Sequence, residues 1–314
     1  MFFKRTPTLD ALGEQLVRHA MQRFSGAGLM ADHLGLTLLV HSRAAPLAWR
    51  GYAWRGDEPF YPCSIVKVFI MAAVEAALSD GSLENSAEIE RAMRDMIRWS
   101  SNAATNYLID RYTRTTGDTE LPPDAMAQWA AAREGINVWL TSLSVPEFSG
   151  INIAQKLMDD DRYGREAAFV KWRSENHHNR LTSNAAASMF ARIMDGAMIH
   201  PEASARMARR LLRPRDGAFA ATPGAQVRGY LAERLPASAT VWSKAGWTGW
   251  TRDPLASYRR HDVLHVATPE GLRYTLAVFT EGEAVAADET VLPGIGEIVF
   301  EALRQACPKG TLES

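Results

Sequence analysis

Two cysteines in 314 residues, Cys63 and Cys307, allow at most one disulfide. They exclude a disulfide-built scaffold and a cysteine-based zinc site. No stretch approaches the roughly 18 apolar residues of a membrane span. The basic start Met1-Phe2-Phe3-Lys4-Arg5 is not followed by an apolar run of about 7–15 residues, so no secretory signal is read and a cytoplasmic location is expected. Charge of one sign is also lacking. A formal net charge of −1 gives no reason to expect nucleic acid or an anionic membrane as partner. The one local excess, Arg209-Arg210 with Arg213-Pro214-Arg215, reads as a solvated helix end. There is no glycine-rich phosphate loop, dinucleotide fingerprint, internal repeat or low-complexity linker.

What is present is an ordinary apolar content, 46%, enough for a sizeable core. Residues 8–24 read as an amphipathic helix, and Leu34–Ser42 with Pro46–Trp54 as a hairpin. Helices are expected from Ser64, over Asn85–Trp99, Tyr107–Tyr112 and Asp124–Glu134, from Thr182 to about His200, and over Pro201–Leu212. From Ile136 to Arg180 the pattern is weak. Thr240–Ala245, Tyr258–Thr268 and Leu272–Thr280 then read as strands, the last two joined at Pro269-Glu270-Gly271, and Leu292–Arg304 as a closing helix. One sheet with a helical block inserted explains this order better than two separate domains. The expected fold is α+β, an antiparallel sheet of about five strands flanked by N- and C-terminal helices. It forms a single domain over residues 1–314, with an α/β half (1–61 and 238–314) and an all-helical half (62–237).

The helix that opens at Ser64 runs Ser-Ile-Val-Lys-Val-Phe-Ile-Met-Ala-Ala-Val, with Pro62 just outside and Gly81 beyond its end. Ser64 and Lys67 fall on one face, Cβ atoms roughly 5–6 Å apart. A serine hydroxyl needs a neighbouring base to become a nucleophile, and a lysine in apolar surroundings can serve. Alone, Ser-x-x-Lys is a weak signal, since a serine near a helix start commonly caps it.

Two further motifs follow in order. Ser100-Ser101-Asn102 lies between two helices, and Lys244-Ala245-Gly246 lies on a strand, followed by Trp247. With these the chain resembles the penicillin-recognising serine hydrolases, most closely the class A β-lactamase-like group, and the resemblance covers nearly the whole chain. It implies Ser64 as acylated nucleophile, Lys67 as base or proton relay, and Ser100 as proton shuttle to the leaving nitrogen. It further implies Asn102 as holder of the substrate's amide and Lys244 as the positive charge beside Ser100. The oxyanion donors would be the backbone N–H groups of Ser64 and, after Gly246, of Trp247.

The departures carry information too. Ser101 stands where the family has an aspartate. Ala245 stands where a hydroxyl binds the substrate carboxylate, a loss of roughly 10–150-fold for β-lactams. The segment between Ser64 and Ser100 is shorter than usual. No Glu-x-x-Leu-Asn deacylation pattern occurs; Glu147 is the nearest candidate, with Glu166 and Glu175 weaker. Trp247 is expected to narrow the cleft, and Trp242 and Trp250 to be core. His177-His178 either lines the pocket or is solvated. His261-Asp262 reads as a structural turn rather than a dyad for Ser64. Asp159-Asp160-Asp161 with Glu166 reads as solvated surface rather than a cation site.

The function implied is a serine hydrolase acting on a small amide, β-lactam or ester, with no cofactor and no metal, as a monomer or weak homodimer. A D-amino-acid peptidase or acyltransferase, which would need export, and a non-catalytic ligand-binding homologue are the alternatives.

Overall fold

The computed structural model describes residues 2–42, 45–117, 119–157, 161–173 and 176–307. α1 (Pro7–Arg23) starts at Thr6, whose hydroxyl accepts from Leu9 N, with Pro7 preset for the first turn. β1 (Leu34–Val40) and β2 (Arg50–Trp54) follow. Then come α2 (Val66–Ser79), α3 (Ala87–Arg98), α4 (Asn102–Thr113), α5 (Pro123–Arg133), α6 (Gly135–Ser142) and α7 (Gly164–Val170). The block ends with α8 (Ser183–Met194), α9 (Pro201–Leu211) and α10 (Gly217–Ala221). β3 (Thr240–Thr248), β4 (Arg259–Ala267), β5 (Arg273–Glu281), α11 (Glu283–Ala287) and α12 (Val291–Ala306) close the chain.

The strands form one antiparallel sheet in the order β2-β1-β5-β4-β3. β1 therefore pairs with β5, Leu38 opposite Leu276, and the two strands joined by the helical block lie at opposite edges. β1 reads Leu-Gly-Leu-Thr-Leu-Leu-Val and is buried at every position, because both faces of the sheet are covered. Alternation sends Leu34, Leu36, Leu38 and Val40 into a core with α1 and α12. Thr37 and Leu39 face the helices; the Thr37 hydroxyl meets Ser183 Oγ and Asn184 Oδ1, each at 2.8 Å, and so fixes the start of α8.

α2 runs through the middle of the helical block. Every residue from Val66 to Glu75 is buried, as an all-round apolar sequence requires. Its one acid, Glu75, takes Arg206 of α9 at 2.9 Å. Away from the sheet, buried Arg133 grips both oxygens of Glu166 (2.9 and 3.0 Å) and Asp110 (3.2 Å), and Lys156 reaches Asp110 at 2.6 Å. This network ties the segment after α6 to α4 and α5.

Several boundaries differ from those read in the sequence. α4 begins at Asn102, not Tyr107, because the Ser101 hydroxyl caps it by accepting from Ala104 N. α8 stops at Met194 because Gly196 turns left-handed (φ 76°) and His200 caps a new helix. β3 continues to Thr248, paired with Arg259. The 136–180 region holds α6 and α7, and the short α10 and α11 had no pattern long enough to announce them. Both cysteines are free. Among the described residues no helix is long and apolar enough to cross a membrane.

Candidate active site

Four of the side chains singled out in the sequence converge at the start of α2. Ser64 lies in a tight 3-10 turn, Cys63–Ile65, that leads directly into α2, so it is a helix-entry residue and not its cap. Its side chain is half-buried, whereas Lys67, one turn on, is fully buried. Lys67 Nζ donates to the Ser100 carbonyl (2.5 Å), to Ser100 Oγ (3.1 Å) and to Asn102 Oδ1 (2.8 Å). Lys244, also fully buried, approaches from β3 and donates to the same Ser100 Oγ at 3.0 Å, and to Gln226 Oε1 and the Ala245 carbonyl. Ser100 Oγ is thus held between two lysine amines from opposite halves of the fold.

Backbone geometry makes the approach possible. Ser100 (φ 55°) and Cys63 (φ 48°) both occupy the left-handed region, which costs an L-residue roughly 1–3 kcal/mol and is found where structure around a site enforces it. Gly246 lies against the Ser64 turn. A Cβ there would stand 2.7 Å from Ser64 N and 2.8 Å from Cys63 Cβ, so only glycine lets the strand come this close. Val241 O takes Arg213 N and Ser243 O takes Arg213 Nη2, so odd-numbered residues of β3 turn their backbone groups to the open edge. In that series Trp247 N–H points to the same edge.

Burial and charge set the protonation. Burial first, and then the charges of Lys67 and Arg213, push Lys244 well below the ordinary lysine range. The Lys67 amine that contributes to this shift bonds the same Ser100 hydroxyl. Cys63, next to Ser64, is no rival nucleophile: burial pushes its thiol up to about 12.

Other expected residues are placed elsewhere. Glu147 turns to α8, where Ser188 Oγ donates to its carboxylate (3.1 Å) and Arg192 stands at 3.9 Å. Glu166 belongs to the Arg133 network, which accounts for it without a cation; Glu175, Asp159 and Asp160 lie outside the described residues. No group of three or more potential metal-ligating side chains exists among the described residues. The Trp247 indole does not narrow the cleft. Strand alternation puts it on the opposite face from Lys244, where Nε1 donates to Ala286 O on α11. Ala245 likewise packs into the α1–α12 core and offers the cluster its carbonyl alone.

Trp242 packs partly buried against the helical core, but Trp250 is exposed and stacks on Tyr258. His261 and Asp262 are mid-strand residues, not a turn: His261 Nε2 donates to Tyr61 O, and Asp262 accepts from Leu231 N on the other face. The two loop histidines are held rather than solvated, His177 by Glu134 (2.6 Å) and His178 by Asp253 (2.8 Å), with the Tyr61 ring edge-on to His178.

Sequence reasoning missed Gln226, which holds Lys244, and Arg213, which clasps Ser243 O and the last carbonyls of α3. A lone glutamine in a polar loop and an arginine after a helix carry no signal of that kind. The turn bearing Gln226 packs directly on the Ser100 loop, a Cβ on Gly224 falling 3.0 Å from Trp99 O.

Solved structures with the same fold include β-lactamases, some of them of class A. The β-lactamase from Sphaerobacter thermophilus is 18% identical, with 92% of this chain and 97% of that chain covered at a TM-score of 0.61. A reconstructed class A β-lactamase of the last common ancestor of Gram-negative bacteria is 20% identical over 93% and 99% (TM-score 0.60). A β-lactamase from Burkholderia vietnamiensis is 17% identical over 93% and 97% (TM-score 0.60). No curated protein matches the chain. The profile of the β-lactamase enzyme family matches residues 83–303, and the chain belongs to that family. The matched stretch includes Ser100, Asn102 and Lys244 and begins after Lys67.

Proposed function

We propose that the protein is a serine hydrolase that cleaves a small amide, β-lactam or ester through an acyl-Ser64 intermediate. The observation that carries this reading is the convergence of Lys67, Ser100, Asn102 and Lys244 beside a half-buried Ser64. Ser64 Oγ attacks the carbonyl carbon, and its proton passes to the Lys67 amine. The developing oxyanion lies between the N–H groups of Ser64 and Trp247, each worth about 10²–10³ in rate. Ser100 gives its proton to the leaving nitrogen or oxygen and recovers one from the lysines that donate to it. Asn102 holds the acyl-side amide of the substrate while its Oδ1 steadies Lys67.

The fate of the acyl-enzyme is the open branch. Glu147 and Glu166 are both engaged away from this cluster, which favours a second reading: a slow-hydrolysing acyl-enzyme, or transfer of the acyl group to a nucleophile other than water.

Intact-protein mass after exposure to a penicillin, a cephalosporin and a fluorophosphonate tests the proposal. The expected result is an adduct on the parent protein and none on Ser64→Ala. Persistence of a β-lactam adduct for hours supports the second reading; clearance within seconds supports hydrolysis. No adduct with any probe overturns the hydrolase reading and leaves a binding homologue.

A further inference from the structure

We propose that the cleft between α3 and α9 binds a phosphorylated small molecule through its phosphate oxygens. Six arginines line this cavity of about 400 Å³: Arg94 and Arg98 from α3, and Arg206, Arg209, Arg210 and Arg213 from α9 and its exit. Arg94 and Arg98 are one turn apart, as are Arg206 and Arg210, so the guanidiniums face each other from two helices.

Their neutralisation is incomplete. Arg94 pairs with Asp95 (2.9 Å), Arg206 with Glu75 (2.9 Å) and Arg210 with Glu90 (2.5 Å). Among the described residues, no carboxylate stands within ion-pair distance of Arg98, Arg209 or Arg213, although the buried Asp262 acts on Arg213 from further off. Arg98 instead lies over the Trp99 and Phe219 rings. Like charges gathered in one concavity repel, and a multivalent anion relieves that repulsion.

A second observation concerns Arg213, which lines the cavity. Arg213 is only 3% exposed; its Nη groups donate to Ile97 O, Arg98 O and Ser243 O, but its Nε is buried without an acceptor. Arg210 Nε also lacks a hydrogen-bond acceptor, but it stands 3.8 Å from the buried Glu75 carboxylate. Both Nε atoms are closed to solvent, so an anion in the cleft would act on these guanidiniums through their charge, and would bond directly to the exposed forks of Arg94, Arg98 and Arg209. Planar guanidinium forks match phosphate oxygens, and the excess of charge favours a phosphate or diphosphate over a single carboxylate. Of the patch that reads as a solvated helix end, Arg209 is exposed, Arg210 half-buried and Arg213 buried, and all three line this cavity. Arg213 also connects it to the catalytic cluster, since Arg98 and Ser243 are close in sequence to Ser100 and Lys244.

Titration calorimetry of the full chain with inorganic pyrophosphate, against potassium chloride at matched ionic strength, tests this. Saturable binding of one pyrophosphate per chain is expected. The exposed pair Arg94→Ala/Arg209→Ala should weaken it roughly tenfold or more, and Arg209→Glu further, with Arg18→Ala on α1 as an unchanged control. Far-ultraviolet circular dichroism of each variant confirms that it is folded. No saturable binding, or an affinity that the cleft variants leave unchanged, overturns the proposal. The readout is binding, so it stands or falls apart from the hydrolase reading.

Discussion

Asp262 and His261 are adjacent on β4, point to opposite faces of the sheet, and are shifted in opposite senses by the same cause. Burial raises Asp262 to about 7, against the pull of the Leu231 N–H, Arg213 and Lys244, and it lowers His261 to about 3. Between pH 3.8 and 7 the folded protein holds a proton on Asp262 that the unfolded chain releases, so this residue's contribution falls as pH rises through that window. His261 does the reverse: the unfolded chain takes a proton below 6.5 that the native state refuses until about 3, so stability is lost as pH falls. Asp262→Asn keeps the acceptor for Leu231 N and removes the titration. Its stability relative to the parent should therefore climb between pH 4 and 7, by at most about 4 kcal/mol. Urea unfolding at pH 4, 5.5 and 7 measures this; a difference constant with pH refutes it. At this scale Ser64, Lys67, Ser100 and Lys244 were legible because their spacing is chemical. Gln226 was not, because its role is a contact with a residue 18 positions on, across an irregular segment and into β3.

At the scale of elements, the site depends on how closely β3 approaches the Ser64 turn. Gly246→Ala forces a methyl against the backbone of Ser64 and the side chain of Cys63. A cost of roughly 1–3 kcal/mol is expected, with loss of adduct formation well beyond what that instability explains, because both proposed oxyanion donors move. A folded Gly246→Ala variant that acylates at the parental rate would contradict this placement. Ser101 acts as a helix cap: its hydroxyl accepts from Ala104 N (3.2 Å) and starts α4. Ser101→Ala should cost about 1 kcal/mol and Ser101→Asp almost nothing, as read from thermal melts. The element pattern was readable where periodicity was long, as in α1, α3, α9 and β4. It failed where helices are short or where a cap moved the start, as in α4, α6 and α7.

Over the whole molecule, one sheet separates two cores and takes part in both. β1, β4 and β5 send alternate side chains to each side, so neither core survives without the sheet. Unfolding should be one cooperative transition in calorimetry, and Arg133→Ala should lower all of it, by roughly 3–5 kcal/mol, since Glu166 and Asp110 lose a buried partner. A variant that splits the transition, shifting a helical phase alone, would show the two halves to be independent.

The chain's own order of residues determined the Ser64–Lys67 pair, the strand groups, the interrupted helical block and the family resemblance, because these rest on local spacing and periodicity. Tertiary structure decided the rest. It put Ser100 Oγ between two lysines from distant elements, turned Trp247 to the far face, tied Glu147 to α8 and gathered six arginines in one cleft. Such facts depend on which faces meet when the helices pack on the sheet. A side chain's direction on a strand or helix is fixed locally, but its neighbours across the gap are not.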